Sequence, residues 1–127
     1  MQKPKKFTPS RNEKAFKFNP NIDRDRMYDH DWEKYRVKFL SINSLCYACG
    51  SKSTVVDHLT PHKGDESLFK KLDNHIPMCK RCHDTVTAYF DKNYVKNGSI
   101  DPKLRWLQKS RIDYGVTVKV KVLPSYK

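Results

Sequence analysis

Apolar residues in this chain fall into short periodic runs separated by polar stretches. Tyr28, Trp32, Tyr35, Phe39 and Ile42 recur at intervals of four, three, four and three. That spacing makes one stripe on a helix, predicted over 21–42, with Arg24, Arg26, Lys34 and Lys38 off the stripe. Asn21 or Asp23 can cap its start, and the aromatic stripe is expected to pack into a core rather than stack on bases. "STVVDHL" predicts a strand, which Pro61 in "TPH" cannot continue. "HKGDESLFKKLDN" predicts a polar loop with one helical turn around Leu68 and Phe69, and "HIPM" a second short strand. Val86, Tyr89 and Phe90 predict a helix from Cys82 to about Asn93, with His83 in its first turn. After the turn "NGS", Asp101 and Pro102 open a further helix and Gly115 stops it. Its Leu104, Leu107 and Ile112 are expected to pack inward, with Lys103, Arg105, Lys109 and Arg111 facing outward. "VTVKVKVL" alternates strictly and predicts a half-buried strand with Lys119 and Lys121 on its outer face. The expected fold class is α+β.

Residues 1–20 have no such period. They are Lys-rich and contain proline, which predicts a flexible basic arm on which Phe16 and Phe18 could dock or stack. The remainder divides into a central unit over 21–93 and a helix–strand extension over 94–127.

Composition sharpens this picture. The 127 residues fit one domain with arms, and 37% hydrophobic content makes for a small core that a metal could staple. Lys and Arg number 26 against 14 Asp and Glu, net +12, the footprint of a protein that meets a polyanion. The centre, 45–91, is neutral, whereas 1–44 carries +5 and 92–127 carries +7. Basic flanks around a neutral centre suggest phosphate contacts around a site with its own chemistry. No run approaches the ~18 apolar residues of a spanning helix, and the N-terminus has no secretory apolar stretch. A soluble, cytoplasmic protein without a membrane partner is the expectation.

All four cysteines lie in two pairs, "CYAC" (Cys46, Cys49) and "CKRC" (Cys79, Cys82). A reducing compartment disfavours disulfides, and two such knuckles match a closed tetrahedral zinc site. Redox-active cysteines and a disulfide are the alternatives. With four cysteines on zinc, His83 remains available for another ion.

"VVDHLTPH" places Asp57 and His58 at the end of an apolar strand. They could be a satisfied core pair, metal ligands or half of a catalytic site. A neutral imidazole with a pKa near 6.5 can take a proton from water, and a carboxylate with a second imidazole can hold a divalent ion. His62 could touch phosphate or bind metal, or be a solvated loop histidine; His30 and His75 are expected to be structural or exposed.

In order, "WEKYRVKFLSINSLCYACG", "VVDHLTPH" and "NHIPMCKRCH" resemble the HNH endonucleases of the ββα-metal class, specifically the small type found in phages and mobile elements. The resemblance covers about 32–87. It implies His58 as general base, Asp57 and His83 as ligands of a catalytic ion, and Asn74 as the residue that secures the loop orienting His58. His83 matches the final catalytic histidine, and Cys46, Cys49, Cys79 and Cys82 the structural zinc. The family's working ion is Mg2+, although an imidazole ligand suits Mn2+ or Ni2+ as well. Many members carry a lysine before the threonine in the last helix, whereas "CHDTVT" has Val86 before Thr87. The implied activity is DNA phosphodiester hydrolysis by a monomer or homodimer. Lys63, Lys70, Lys71, Arg105, Lys109, Arg111, Lys119 and Lys121 are then the expected DNA contacts. A non-catalytic zinc DNA-binding module and a junction resolvase of the endonuclease VII type are the rival readings.

Overall fold

The computed structural model describes residues 27–127. The basic arm, Phe16, Phe18 and the proposed caps Asn21 and Asp23 lie outside that range. Helix α1 spans His30–Ile42, and Asp29 caps it by accepting a hydrogen bond from the Trp32 amide at 3.0 Å. The predicted helix over 21–42 is therefore not continuous among the described residues: the chain bends at Tyr28 and Asp29 before α1 begins. An aspartate carboxylate that satisfies an orphan amide is a strong start signal, and here it prevails over the longer stripe. Trp32, Tyr35 and Phe39 are buried as the stripe requires, while Tyr28 and Ile42 at its ends are exposed.

Strands β1 (Val55–His58) and β2 (His75–Met78) pair antiparallel, with His58 opposite His75 and Asp57 opposite Ile76. Pro77 is tolerated in β2 because a two-stranded sheet has only edge strands. The loop between them holds a short helix α2 (Glu66–Lys70) and a 3-10 turn at Leu72–Asn74. Helix α3 (Lys80–Val86) begins within the second knuckle, and its first turn is capped by a sulfur, with Cys82 N donating to Cys79 Sγ at 3.4 Å. It passes into a π-helical turn at Thr87–Asp91 rather than running on as one α-helix to Asn93. Helix α4 spans Asp101–Tyr114 and ends at Gly115, whose φ of 65° is the left-handed cap that favours glycine.

Two apolar clusters flank the sheet. Trp32, Tyr35, Phe39, Val56 and Phe69 pack between α1 and β1. Cys46, Ala48, Ile76, Met78, Cys79, Cys82, Val86 and Leu107 form the second, so three of the four cysteines belong to a core. Successive strand residues point to opposite faces, so Val56 and His58 turn toward α1 and Asp57 turns away. With both faces covered, even the polar strand residues Asp57, His58 and His75 are buried.

Two expectations for the extension are corrected. In α4 it is Lys103 that is buried, 2% exposed, while Leu104 is exposed and Ile112 is 71% exposed. Leu107 selects the inward face, and Lys103, one turn earlier on that face, is drawn in toward two carboxylates. Residues 116–123 form no strand, and Val118 and Val122 are exposed. Among the described residues the segment has no ladder partner. It docks instead through Asn43, whose amide donates to the Lys121 carbonyl at 2.9 Å and accepts from the Lys121 amide at 2.8 Å. Among the described residues no helix is long and apolar enough to cross a membrane.

Candidate metal and cleavage centre

The first knuckle turns at Gly50, whose φ is 81°, and Gly50 N donates to the Cys46 carbonyl at 2.9 Å. Beneath it the four sulfurs of Cys46, Cys49, Cys79 and Cys82 lie within 4.8 Å of one another. Cys49 Sγ and Cys79 Sγ are 3.7 Å apart. Sulfurs at 2.3 Å from a tetrahedral zinc would be separated by about 3.8 Å, so the cage has the size zinc needs. Helix α4 braces this base, with Ser110 Oγ donating to the Ala48 carbonyl at 2.8 Å and Arg111 to the Tyr47 carbonyl at 2.9 Å.

Above the sheet opens a cleft of about 780 Å³ bordered by Asp57, His58, His62, Lys63, His83 and Asp91. His58 packs against both Trp32 and Phe69, with ring centroids at 5.6 and 4.9 Å, in a cluster where Trp32 and Phe69 also touch each other at 4.7 Å. Its Nε2 lies 3.0 Å from the Phe69 carbonyl oxygen. A carbonyl only accepts, so the bond places the proton on Nε2 and leaves Nδ1 as the basic nitrogen. Burial, and then the nearby His75 and His62 rings, push the pKa of His58 down to about 3. The ring is neutral.

Asp57, on the other face of β1, points its carboxylate toward α3 and α4. Its Oδ1 lies 3.5 Å from Nε2 of His83, and its Oδ2 lies 3.0 Å from Nζ of Lys103. Two ligand atoms each ~2.1 Å from one ion, at about 90–110°, stand about 3.0–3.4 Å apart. A carboxylate and an imidazole at 3.5 Å fit that requirement closely, and such a pair leaves positions for water and phosphate. His83 is partly exposed at the cleft wall, with Thr87 Oγ1 3.5 Å from its Nε2 one turn along the helix.

Asn74 does not face the cleft. Its buried amide accepts from Thr60 N at 2.8 Å and donates to the carbonyls of Thr60 at 2.9 Å and Leu68 at 3.1 Å. It therefore closes the loop that carries the Phe69 carbonyl.

The basic residues expected on DNA are placed variously. Lys63 is exposed at the cleft rim and donates to the Asp91 carbonyl at 2.9 Å. Lys70 and Lys71 pair with Glu66 and Asp73 at 2.7 and 2.9 Å. Arg105, Lys109, Lys119 and Lys121 are exposed, with Lys109 paired to Asp113 at 2.9 Å. Arg111 is engaged internally: its guanidinium covers the Tyr47 ring and also donates to the Val118 carbonyl at 2.9 Å.

Residue patterns missed two groups near the centre. Lys103 and Asp91 meet at 3.0 Å directly behind Asp57. A lysine at helical spacing reads as solvated, and only the presence of Leu107 four residues later marked the side it would take. Tyr35 and His75 were missed as a pair as well: Tyr35 Oη donates to His75 Nδ1 at 2.6 Å, and His75 Nε2 donates to the Phe69 carbonyl at 2.7 Å.

Residues 46–88 match the family model of the HNH endonucleases, and this stretch contains the two paired strands, helix α3 and a four-cysteine cage able to hold zinc. No curated protein and no solved structure matches the chain.

Proposed function

We propose that this HNH chain is a metal-dependent endonuclease that hydrolyses DNA phosphodiester bonds with His58 as general base. What supports the reading is convergence: Asp57, His58 and His83, from β1 and α3, border one open cleft, with an ion-sized gap between Asp57 and His83.

His58 Nδ1 takes a proton from the water that attacks phosphorus. The P–O3′ bond breaks in line and the departing 3′-oxygen takes a proton from solvent water, leaving a 5′-phosphate and a 3′-hydroxyl. A base with so low a pKa in the free protein is guaranteed to be unprotonated, and an approaching phosphodiester anion raises its basicity as charge accumulates beside it. Phe69 holds the ring in the tautomer required, and Asn74 secures the loop that presents Phe69. A divalent ion held by Asp57 and His83 would supply Lewis-acid neutralisation of the charge on the non-bridging and leaving oxygens, with Mg2+, Mn2+ or Ni2+ compatible with one carboxylate and one imidazole. Lys63 at the rim and the exposed Arg105, Lys109, Lys119 and Lys121 supply phosphate contacts, consistent with the net charge of +12.

The test is nicking of supercoiled plasmid with and without added Mg2+ or Mn2+, comparing the wild type with His58→Ala. Cleavage should require the ion and fall roughly 10²–10⁴-fold in the variant, with DNA binding retained. Equal nicking by both proteins, or none at any divalent ion, refutes the assignment.

A further inference from the structure

We infer that Lys103, on α4, is a positioning residue of the cleavage centre, holding Asp57 and the end of β1 so that one carboxylate oxygen is left for the cleft. The inference rests on the nuclease reading above.

A lysine only 2% exposed demands partners, and this one is surrounded by them. Its Nζ donates to the His58 carbonyl at 2.8 Å and lies 3.0 Å from Asp57 Oδ2 and 3.0 Å from Asp91 Oδ1. It also donates to Asp91 Oδ2 at 3.3 Å. Among the described residues neither Asp57 Oδ2 nor Asp91 Oδ1 has a hydrogen-bond partner, and the ammonium 3.0 Å away is the charge these two buried oxygens face. The two oxygens of Asp57 thus have different neighbours: Oδ2 faces the lysine, and Oδ1 lies 3.5 Å from His83 Nε2. Holding one oxygen of a planar carboxylate fixes where the other points. The same ammonium grips the backbone of His58, so one cation steadies the two adjacent residues, which serve opposite faces of the strand.

A role in fold stability alone is a weak account of this arrangement. A buried ion pair gains little over a well-packed apolar residue, and Asp91 by itself would neutralise the charge. The second carboxylate at 3.0 Å is the one that borders the ion site. The extension from 94 onward is then part of the cleavage unit through Lys103, and more than a DNA grip.

The experiment compares wild type, His58→Ala, Lys103→Met and the double variant Lys103→Met/Asp91→Asn, which removes one cation and one anion together. Folding is followed by circular dichroism and zinc content, DNA affinity without divalent ion by fluorescence anisotropy, Mn2+ binding by electron paramagnetic resonance, and cleavage by steady-state kinetics. In both Lys103 variants kcat should fall about 10–100-fold with KM for DNA nearly unchanged, and Mn2+ affinity should weaken by about tenfold or more. The double variant should recover thermal stability without recovering kcat or Mn2+ affinity, which a stability role would restore. Wild-type levels of kcat and Mn2+ affinity in a folded Lys103 variant, or failure of both variants to fold, would overturn the inference. No cleavage by the wild type would instead strike the nuclease reading itself.

Discussion

His58 and His75, opposite each other in the sheet, donate to one acceptor: the Phe69 carbonyl oxygen lies 3.0 Å from His58 Nε2 and 2.7 Å from His75 Nε2. Each lone pair of a buried carbonyl is taken by an imidazole N–H, which fixes both rings as neutral Nε2–H tautomers. Tyr35 completes the chain by donating to His75 Nδ1. Because the remaining nitrogen of His75 is occupied, His58 is the one of these two rings with a nitrogen left unpartnered among the described residues, and it is the ring that borders the cleft.

The first prediction concerns this pair. Burial, then the neighbouring rings, lower the His58 pKa to about 3, and burial likewise lowers that of His75. In the unfolded chain both imidazoles titrate near 6.5. The unfolded state therefore binds more protons below 6.5, so the contribution of both rings to stability is complete above pH 6.5 and declines as pH falls, for His58 down to about 3. Nitrogen-15 spectra of the zinc-loaded protein without divalent ion should show Nε2–H tautomers for both rings and no titration of His58 between about pH 5 and 8. The denaturation midpoint should drop more steeply from pH 7 to 5.5 in the wild type than in His58→Asn, with zinc content constant. A His58 midpoint near 6.5 would contradict the buried, carbonyl-bound ring.

The zinc cage yields the second prediction. Cys46, Cys79 and Cys82 are themselves core residues, packed with Ala48, Ile76, Met78, Val86 and Leu107. Without the ion the second cluster has little else to close it, and structural zinc contributes about 10–16 kcal/mol in comparable small sites. Cys79→Ser, or chelation, should abolish the helical dichroism of the central domain. His83→Ala, by contrast, should leave a folded, zinc-loaded, DNA-binding and inactive protein. Recovery of folded Cys79→Ser protein without bound zinc would show that the core closes unaided.

How far these features could be read beforehand depended on whether the signal was local. The knuckles, the strand "HIPM" and the helix from Asp101 to Gly115 were legible because spacing, proline and glycine act within a few residues. Asp57, His58 and His83 could be singled out as candidates by residue type, and the fold brings all three to the border of one cleft. The inward turn of Lys103 was not, because it depends on carboxylates from β1 and from the π-helical turn, 46 and 12 positions away in the chain. The alternation of valines after Gly115 predicted a strand, but pairing requires a neighbour, and the side chain of Asn43 took that place. Backbone acceptors such as the Phe69 carbonyl leave no trace in residue identity at all.

Asn74 supports the last prediction. Its amide is buried and fully used: Thr60 N donates to Oδ1, and Nδ2 donates to the carbonyls of Thr60 and Leu68. Asn74→Ala strands three backbone groups of the loop, which should lower stability by about 1–3 kcal/mol. Asn74→Asp is the sharper variant. It keeps the acceptor for Thr60 N but turns a second oxygen toward two carbonyls, so it should be at least as damaging as alanine despite near-identical shape. Either change releases the segment that presents the Phe69 carbonyl. The His58 Nε2–H resonance should therefore broaden or shift toward the exposed range, and cleavage should fall although Asn74 touches neither ion nor phosphate. Urea denaturation together with the imidazole spectrum checks both consequences. An Asn74→Asp protein with wild-type stability and an unmoved His58 resonance would remove Asn74 from the support of the base.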